Sequence, residues 1–269
     1  MKIRSFIFVA LGILFLNNVS IAQEKPQDKM QKPQNLKRKI TKTIESKYLI
    51  FPPKNYSATG KEKFPLILFL HGAGERGTDV WKATTHGPSL YIKDHPDFPF
   101  ILVTPLCPAD EVWSDEVLLT LLDEVIKKNN VDASRIYLTG LSMGGYGAWS
   151  LGLKYPEKFA ALAPICGGSD IGAIILASHG YATPEKTLAL KTLAVWAFHG
   201  AKDPVVPLQE SEHIVNALKS FGINEIKFTV YPEAQHNSWT ETYNNPELYE
   251  WFLKHHRKIL TQSRKAAKN

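Results

Sequence analysis

The chain has 269 residues, of which 44% are hydrophobic and 22% charged, with 17 glycines and two cysteines. This length and composition are typical of one globular domain with a substantial core. The net charge of +6 is concentrated at the two ends, where aromatic residues do not alternate with basic ones, so no nucleic acid partner is expected.

The first 22 residues have the pattern of a cleavable signal peptide. Two basic residues precede an apolar run from Phe6 to Leu16, and small residues follow up to Ala22. The run is shorter than the roughly 20 residues that a membrane-spanning helix needs, and two asparagines end it. We therefore expect cleavage after Ala22, a secreted or periplasmic protein, and no stable membrane anchor.

The composition also predicts how the remaining chain is divided. Residues 23–39 are rich in Lys, Gln and Pro and poor in apolar side chains, so they are expected to form a disordered leader. Residues 40–260 have the length of a single α/β domain without internal repeats, and residues 261–269 form a basic tail.

The first predicted strands cover Lys42–Phe51 and Phe64–Leu70. A glycine-rich loop, His71-Gly-Ala-Gly-Glu-Arg-Gly77, follows the second strand. Its glycines would let the backbone N–H groups of Ala73 or Gly74 point at a developing negative charge, although the same residues suit a simple tight turn. Within this loop, Glu75 and Arg76 are expected to brace the backbone by pairing internally.

A third strand is expected over Phe100–Thr104 and a helix over Asp115–Lys128. The next apolar run, Arg135–Thr139, leads into Gly140-Leu-Ser-Met-Gly-Gly145. A serine between glycines at a sharp strand-to-helix turn is typical of a nucleophile, because the small residues keep other side chains away from its hydroxyl. Ser142 is therefore the predicted nucleophile. The N–H of Met143 is predicted to stabilise the developing negative charge together with the N–H of Ala73 or Gly74.

A serine hydroxyl needs a histidine base, which in turn needs a carboxylate to orient it. Asp203 lies in a Pro-rich turn after the strand that ends near His199, and His236 lies in a loop after the strand that ends at Tyr231. These are the predicted acid and base. Asp170, which follows an earlier strand, is the alternative acid.

Other histidines fit structural roles better. His199 ends a buried strand, where packing or a turn role is expected, whereas His213, His255 and His256 are predicted on solvated helical faces. The corresponding helices are expected over Gln209–Phe221 and over Pro246–Ile259.

Three segments together resemble a known family: His71–Asp79, Val131–Trp149 and His199–Pro207. They are similar to the dienelactone hydrolase and prolyl oligopeptidase-like branch of the α/β-hydrolase superfamily, and within it to small secreted bacterial carboxylesterases of the phospholipase/carboxylesterase or feruloyl-esterase-like kind. The similarity extends over about Ile40 to Lys258. It implies an α/β-hydrolase fold, that is, a mostly parallel doubly wound sheet flanked by helices, and ester hydrolysis through an acyl-enzyme with no metal or organic cofactor.

The expected substrate is an ester, either a small molecule or one linked to plant polysaccharide, including feruloyl esters. Residues 167–191 leave space for only one or two short helices, which predicts a minimal cap and an open cleft. Trp113 and Trp239 are candidate substrate contacts, with packing an equal alternative for Trp113. The competing hypotheses are a serine peptidase or acyl-peptide hydrolase, although the chain has no room for a β-propeller, and a non-catalytic binding protein.

The sequence leaves the state of its two cysteines open. Cys107 and Cys166 each follow a strand, and an oxidising compartment would permit a disulfide between them. The usual strand order of a hydrolase sheet opposes it, because two strands would separate the pair by more than the roughly 7 Å that a bridge tolerates.

Overall fold

A computed structural model describes residues 32–223 and 225–257. The predicted signal peptide, the first part of the leader and the basic tail lie outside these residues. The chain divides into two units, Met1–Lys42 and Thr43–Asn269. In the first unit, residues 32–42 carry no helix or strand.

The described part of the second unit contains one seven-stranded sheet in the order β1-β3-β2-β4-β5-β6-β7. The strands are β1 (Tyr48–Phe51), β2 (Phe64–Leu70), β3 (Ile101–Pro105), β4 (Val131–Leu141), β5 (Ala161–Ile165), β6 (Ala194–Gly200) and β7 (Ile226–Tyr231). Strand β1 is antiparallel to β3, and all other neighbouring strands are parallel. The predicted mostly parallel sheet is thus confirmed.

Eight α-helices connect and flank these strands in the described residues. They are α1 (Pro88–Asp94), α2 (Asp115–Lys128), α3 (Met143–Lys154), α4 (Gly172–Ser178), α5 (Pro184–Thr192), α6 (Leu208–Phe221), α7 (Trp239–Asn244) and α8 (Pro246–Lys254). Helices α4 and α5 are the two short helices expected between residues 167 and 191. No helix in the described ranges is long and apolar enough to cross a membrane.

Both faces of the sheet are buried, as the uninterrupted apolar sequence of β2 requires. All seven residues of β2 are buried, and alternate ones belong to different core clusters. Leu66, Leu68 and Leu70 pack with residues of α2, α3 and α6, whereas Ile67 and Phe69 pack with residues of α1, α7 and α8. Because side chains alternate along a strand, one apolar run supplies both cores.

Two predicted boundaries are wrong by several residues, each for an identifiable reason, and the bounds of β3 and α6 differ from the prediction by one residue. Strand β1 begins at Tyr48 rather than Lys42, because its partner β3 is short and pairing extends only from Tyr48 to Phe51. Helix α8 ends at Lys254 rather than Ile259, because the backbone becomes extended at His255. Arg257 holds the chain there: its N–H donates to Ser134 O at 2.7 Å, and its guanidinium to other carbonyls.

The histidines that follow α8 consequently differ from the prediction. His255 lies beyond the helix and is half-buried; its Nδ1 is 2.7 Å from Trp251 O and its ring is 4.6 Å from the Trp251 ring. His256 is exposed but is not on a helical face, whereas His213 is exposed on α6 as predicted.

Cys107 and Cys166 are both free and buried. Cys107 follows β3 and Cys166 follows β5, and strands β2 and β4 lie between them in the sheet. This strand order is the one that was expected from the sequence to oppose a disulfide.

Candidate active site

Ser142 forms the sharp turn between β4 and α3. Its backbone has φ 52° and ψ −117°, a conformation that residues with a side chain rarely adopt. The turn is held on both sides: Ser142 N–H donates to Ile165 O at 3.0 Å, and Ser142 O accepts from Tyr146 N–H at 3.0 Å. The strain is therefore supported by the sheet and by the first turn of the helix.

The glycines around Ser142 are required by close packing. A Cβ at Gly140 would lie 2.2 Å from Gly144 O, and a Cβ at Gly144 would lie 1.9 Å from Leu70 O. The start of α3 thus lies directly against the ends of β2 and β4. This contact sets the position of the Ser142 hydroxyl.

The structure brings the predicted acid, base and nucleophile together. His236 Nε2 is 2.9 Å from Ser142 Oγ, and His236 Nδ1 is 2.8 Å from Asp203 Oδ2. A carboxylate can only accept, so Nδ1 carries the proton and Nε2 is free to accept the serine proton. This is the geometry that general-base activation of a serine requires.

The turn after β6 fixes the carboxylate of Asp203. Its Oδ1 accepts from the N–H groups of Val205 at 2.8 Å and Val206 at 2.9 Å, and its side chain is fully buried. Burial alone would raise the pKa of Asp203, but the hydrogen bonds from His236 and from these two N–H groups lower it overall. Asp203 is therefore ionised at neutral pH.

Backbone hydrogen bonds tie the acid turn to the base loop. Ala201 N–H donates to Tyr231 O at 2.9 Å, and Lys202 N–H donates to Ala234 O at 3.0 Å. A Cβ at Gly200 would lie 2.1 Å from Gln235 O, so only glycine permits this approach. Gly200 is not among the site residues predicted from the sequence; its position just before Asp203 is the signal that could have indicated it.

The structure does not bring the alternative acid into the site. Asp170 is exposed, and its Oδ1 accepts from Gly172 N–H at 2.8 Å at the start of α4. The position that it would need beside His236 Nδ1 is occupied by Asp203.

The predicted oxyanion donors lie at the starts of two helical segments. Met143 is the first residue of α3, and Ala73 is the first residue of a 3₁₀ segment, Ala73–Glu75. The first N–H groups of a helix have no partner within it, so Met143, Ala73 and Gly74 have N–H groups available to a ligand. Arg76 braces the loop as expected, since its Nε donates to Ala73 O at 3.0 Å.

The contacts of Glu75 differ from the expected pairing. Its carboxylate lies 3.5 Å from His86 Nε2 and 3.8 Å from His71 Nδ1. His71 is a neutral residue at this point, because its Nδ1–H donates to Gly72 O at 2.7 Å while Nε2 accepts from Cys107 N–H at 3.0 Å. Burial lowers the pKa of His71 and keeps the ring neutral. The histidine thereby joins the oxyanion loop to the end of β3.

The two candidate tryptophans occupy different positions. Trp113 is half-buried; its indole N–H donates to His71 O at 3.2 Å, and its ring lines a cavity next to Ser142. Trp239 packs edge-on against the His236 ring at a centroid distance of 5.3 Å. Trp113 is thus placed both to pack and to contact a ligand, whereas the observed contact of Trp239 is with the ring of His236.

The cavity next to Ser142 has a volume of about 480 Å³. It is lined by Val112, Trp113, Ser142, Met143, Tyr146, Gly147 and Ser150. Val112 and Tyr146 are exposed at 69% and 37%, so the cavity opens to solvent. Its walls therefore offer aromatic rings to a substrate that need not be enclosed.

Cys166 lies directly beside the base and the acid. One ligand atom each of Cys166, Asp203 and His236 falls within 4.8 Å of the others, which is also compatible with a metal site. Burial raises the pKa of the Cys166 thiol to about 12, so the thiol is protonated at neutral pH, whereas metal ligation needs the thiolate. The donor set therefore fits a hydrogen-bonded acid and base better than a metal.

The parallel sheet, the strained serine turn and the order of Ser142, Asp203 and His236 along the chain define an α/β-hydrolase. A family model described as phospholipase/carboxylesterase matches residues 112–247, about half of the chain. The chain belongs to this phospholipase/carboxylesterase family. The resemblance seen in the sequence is thus confirmed at the level of family and fold.

The sequence identity to individual proteins is low to moderate. The chain is 26% identical to acyl-protein thioesterase 1 of Mycosarcoma maydis over 72% of this chain and 92% of that protein. It is 25% identical to a bifunctional acetylxylan esterase/xylanase of Neocallimastix patriciarum, over 61% of this chain and only 22% of that protein. A thermostable esterase of known structure has a TM-score of 0.62 and 32% identity, covering 78% of this chain and 59% of that chain.

Proposed function

We propose that the chain is a serine carboxylesterase that hydrolyses carboxylic esters through an acyl-enzyme. The observation that carries the proposal is the continuous hydrogen-bonded path from Ser142 Oγ through His236 to the buried Asp203. Membership of the phospholipase/carboxylesterase family supports the reaction class.

In the first half of the reaction, Ser142 Oγ attacks the ester carbonyl carbon while its proton moves to His236 Nε2. Asp203 stabilises the imidazolium that forms, and the N–H groups of Met143 and of Ala73 or Gly74 stabilise the oxyanion. When the tetrahedral intermediate collapses, the carbon–oxygen bond to the alcohol breaks and His236 returns the proton to the departing oxygen. The acyl group remains on Ser142.

In the second half, a water molecule takes the place of the alcohol. His236 removes a proton from the water as it attacks the acyl carbon, and the same N–H groups bind the second oxyanion. The proton returns to Ser142 Oγ as the carboxylic acid leaves. With the ester and one water as reactants, and the alcohol and carboxylic acid as products, atoms and protons balance over the two halves.

As substrates we propose acyl esters, including feruloyl esters, of plant polysaccharide or related small esters. The open cleft suits an ester attached to a polymer, and Trp113 and Tyr146 line it. The similarity to an acetylxylan esterase/xylanase supports this class of substrate.

The first test is the intact mass of the protein after treatment with a serine-directed fluorophosphonate. We expect one adduct on the wild type and none on Ser142→Ala or His236→Ala. Absence of the adduct on folded wild type would contradict the proposal and favour a non-catalytic binding protein.

A second assay separates esterase from peptidase action. We expect hydrolysis of p-nitrophenyl acetate and no cleavage of a chromogenic dipeptide amide. Preferential cleavage of the amide would instead assign the chain to the serine peptidase or acyl-peptide hydrolase group.

We also propose that residues 1–22 direct export and are removed. The support is the order of basic, apolar and small residues up to Ala22. Intact-mass analysis of protein recovered from the periplasm or medium of a bacterial host should give a chain that starts at Gln23. Retention of Met1 in the cell would contradict export.

A further inference from the structure

His199, near the end of β6, is fully buried and makes three close contacts. Its Nδ1 is 2.8 Å from Ser211 Oγ, and its Nε2 is 2.9 Å from Val206 O and 3.3 Å from Asp203 Oδ2. Ser211 Oγ is in turn 2.9 Å from Gly167 O. The contacts thus run from the predicted acid to the backbone after β5.

The number of hydrogens in this group decides the state of the ring. Val206 O and Gly167 O are carbonyl oxygens that can only accept, so His199 Nε2 must donate to the first and the Ser211 hydroxyl to the second. The single hydroxyl hydrogen of Ser211 is then used, and His199 Nδ1 must donate to Ser211 Oγ. Three contacts of 2.9 Å or less need three hydrogens, whereas a neutral imidazole and a hydroxyl have only two.

Each neutral tautomer leaves two lone pairs facing each other inside the protein. With the proton on Nδ1, the bare Nε2 would face Val206 O and Asp203 Oδ2. With the proton on Nε2, either Nδ1 or Gly167 O would face Ser211 Oγ without a hydrogen between them. Such buried unsatisfied groups are unfavourable, and the doubly protonated ring removes both conflicts.

We infer that His199 is held as an imidazolium next to the Asp203 carboxylate. Together with Ser211, it is a positioning residue for that carboxylate. This rests on the proposed function, because it gives Asp203 a second histidine partner in the same reaction. The Asp203 Oδ2 atom lies between the two rings, 2.8 Å from His236 Nδ1 and 3.3 Å from His199 Nε2. The carboxylate offsets the charge that burial of His199 would otherwise make unfavourable.

The other ionisable groups near this pair are consistent with it. His236 is bonded to the same carboxylate, and Cys166, after β5, is a neutral thiol at neutral pH because burial raises its pKa to about 12. Glu210, next to Ser211 on α6, is exposed and packs against Gly168. The buried charge in contact with His199 is therefore that of Asp203.

The imidazolium has a consequence for the base. A fixed positive charge behind Asp203 reduces the net negative potential at His236, and removing that charge makes the potential there more negative. The acid limb of the pH profile would then move to higher pH.

The state of His199 can be read directly in the resting enzyme. ¹⁵N NMR of the histidine rings, assigned by comparison with His199→Gln and Ser211→Ala, should show both ring nitrogens of His199 protonated at about pH 7.5, as the three hydrogen bonds require. A neutral tautomer at that pH would overturn the inference. This readout does not depend on turnover, so it stands even if the fluorophosphonate fails to label Ser142.

Kinetics test the positioning role. For His199→Gln and Ser211→Ala, we expect kcat for p-nitrophenyl acetate to fall roughly 10- to 100-fold with KM little changed, the range seen when groups that orient a primary residue are removed. For His199→Gln, the acid limb should also rise by about one pH unit. His213→Gln, the same exchange at an exposed position of α6, should leave both unchanged.

A purely structural role would lower activity at every pH without moving the acid limb, and that result in His199→Gln would overturn the inference. If His199→Gln does not fold, Ser211→Ala and the wild-type spectrum still decide it. Unchanged kcat in a folded Ser211→Ala would also contradict the positioning role.

Discussion

Asp203 and Asp170 each follow a strand that ends at the carboxyl edge of the sheet, and contacts within the folded chain distinguish them. Asp203 is buried and bonded to His236, whereas Asp170 is exposed and bonded to Gly172 N–H. Asp203→Asn should lower kcat about 10⁴-fold, because an amide holds the base in the wrong tautomer. Asp170→Asn, the matched exchange, should keep wild-type kcat for p-nitrophenyl acetate.

The reverse result, loss of activity in Asp170→Asn alone, would show that the acid had been assigned to the wrong carboxylate. Equal losses in both variants would point to a general effect on folding, which circular dichroism of the two proteins would reveal.

Trp113 is the residue whose role in substrate selection can be separated from packing. Its ring lines the cavity beside Ser142, and aromatic contacts of this kind contribute about 0.5–1.5 kcal/mol. Trp113→Phe keeps a ring but removes the indole donor to His71 O, whereas Trp113→Ala removes the ring. We expect Trp113→Ala to lower kcat/KM more for methyl ferulate than for p-nitrophenyl acetate. The loss for methyl ferulate should be about two to ten times larger.

Trp81→Ala is the control, because this tryptophan is 68% exposed and lines a different cavity near β1. Equal losses for the two esters in Trp113→Ala would indicate that Trp113 acts through packing on the oxyanion loop instead.

At the scale of elements, the site depends on how closely α3 approaches the sheet. A Cβ at Gly144 would lie 1.9 Å from Leu70 O, a backbone atom that cannot move away alone. Gly144→Ala should therefore displace the start of α3 and lower the free energy of unfolding by about 3 kcal/mol, or roughly 6–12 °C in Tm. The shift would carry Ser142 with it and reduce labelling by the fluorophosphonate.

Gly74→Ala is the matched exchange for stability. A Cβ at Gly74 meets no atom within 4 Å, so Tm should stay within a few degrees of the wild type. A Gly144→Ala protein with unchanged Tm would show that α3 adjusts freely and that the glycine is not required by packing.

The elements also show which features a sequence can predict. Strand β2 and helix α2 were predicted with the observed bounds because apolar periodicity and helix ends are local signals. The end of α8 was not, because it depends on Arg257 reaching carbonyls at Ala133 and Glu157, more than 90 residues away in the chain. Distant partners of this kind leave no local pattern.

For the whole molecule, strand order and motif order predicted the meeting of Ser142, Asp203 and His236, since the carboxyl ends of parallel strands share one edge. No local sequence pattern indicates that His199 contacts Asp203, or that Gly200 lets two loops approach each other. Those features depend on side-chain and backbone contacts between separate strands. The topology could thus be predicted from the sequence pattern, whereas the hydrogen-bond network could not.

His71, which joins the ends of β2 and β3, makes one contribution to the pH dependence of global stability. Burial lowers the pKa of His71 in the folded state, so below about pH 6.5 the unfolded chain binds a proton that the folded chain does not. Stability should therefore fall as the pH drops below about 6.5, by up to about 1.4 kcal/mol per pH unit until the folded pKa is reached. The difference between the wild type and His71→Gln in urea unfolding at pH 7.5 and pH 5.0 measures this loss.

His71→Gln should be less stable than the wild type at pH 7.5, because the bonds to Gly72 O and from Cys107 N–H are lost, but it should lose less on acidification. His213→Gln removes an exposed histidine and should retain the wild-type slope. Parallel losses in the wild type and His71→Gln would place the proton-linked step elsewhere. A flatter slope in His71→Gln alone would show that the residue joining the oxyanion loop to the sheet also limits the acid stability of the domain.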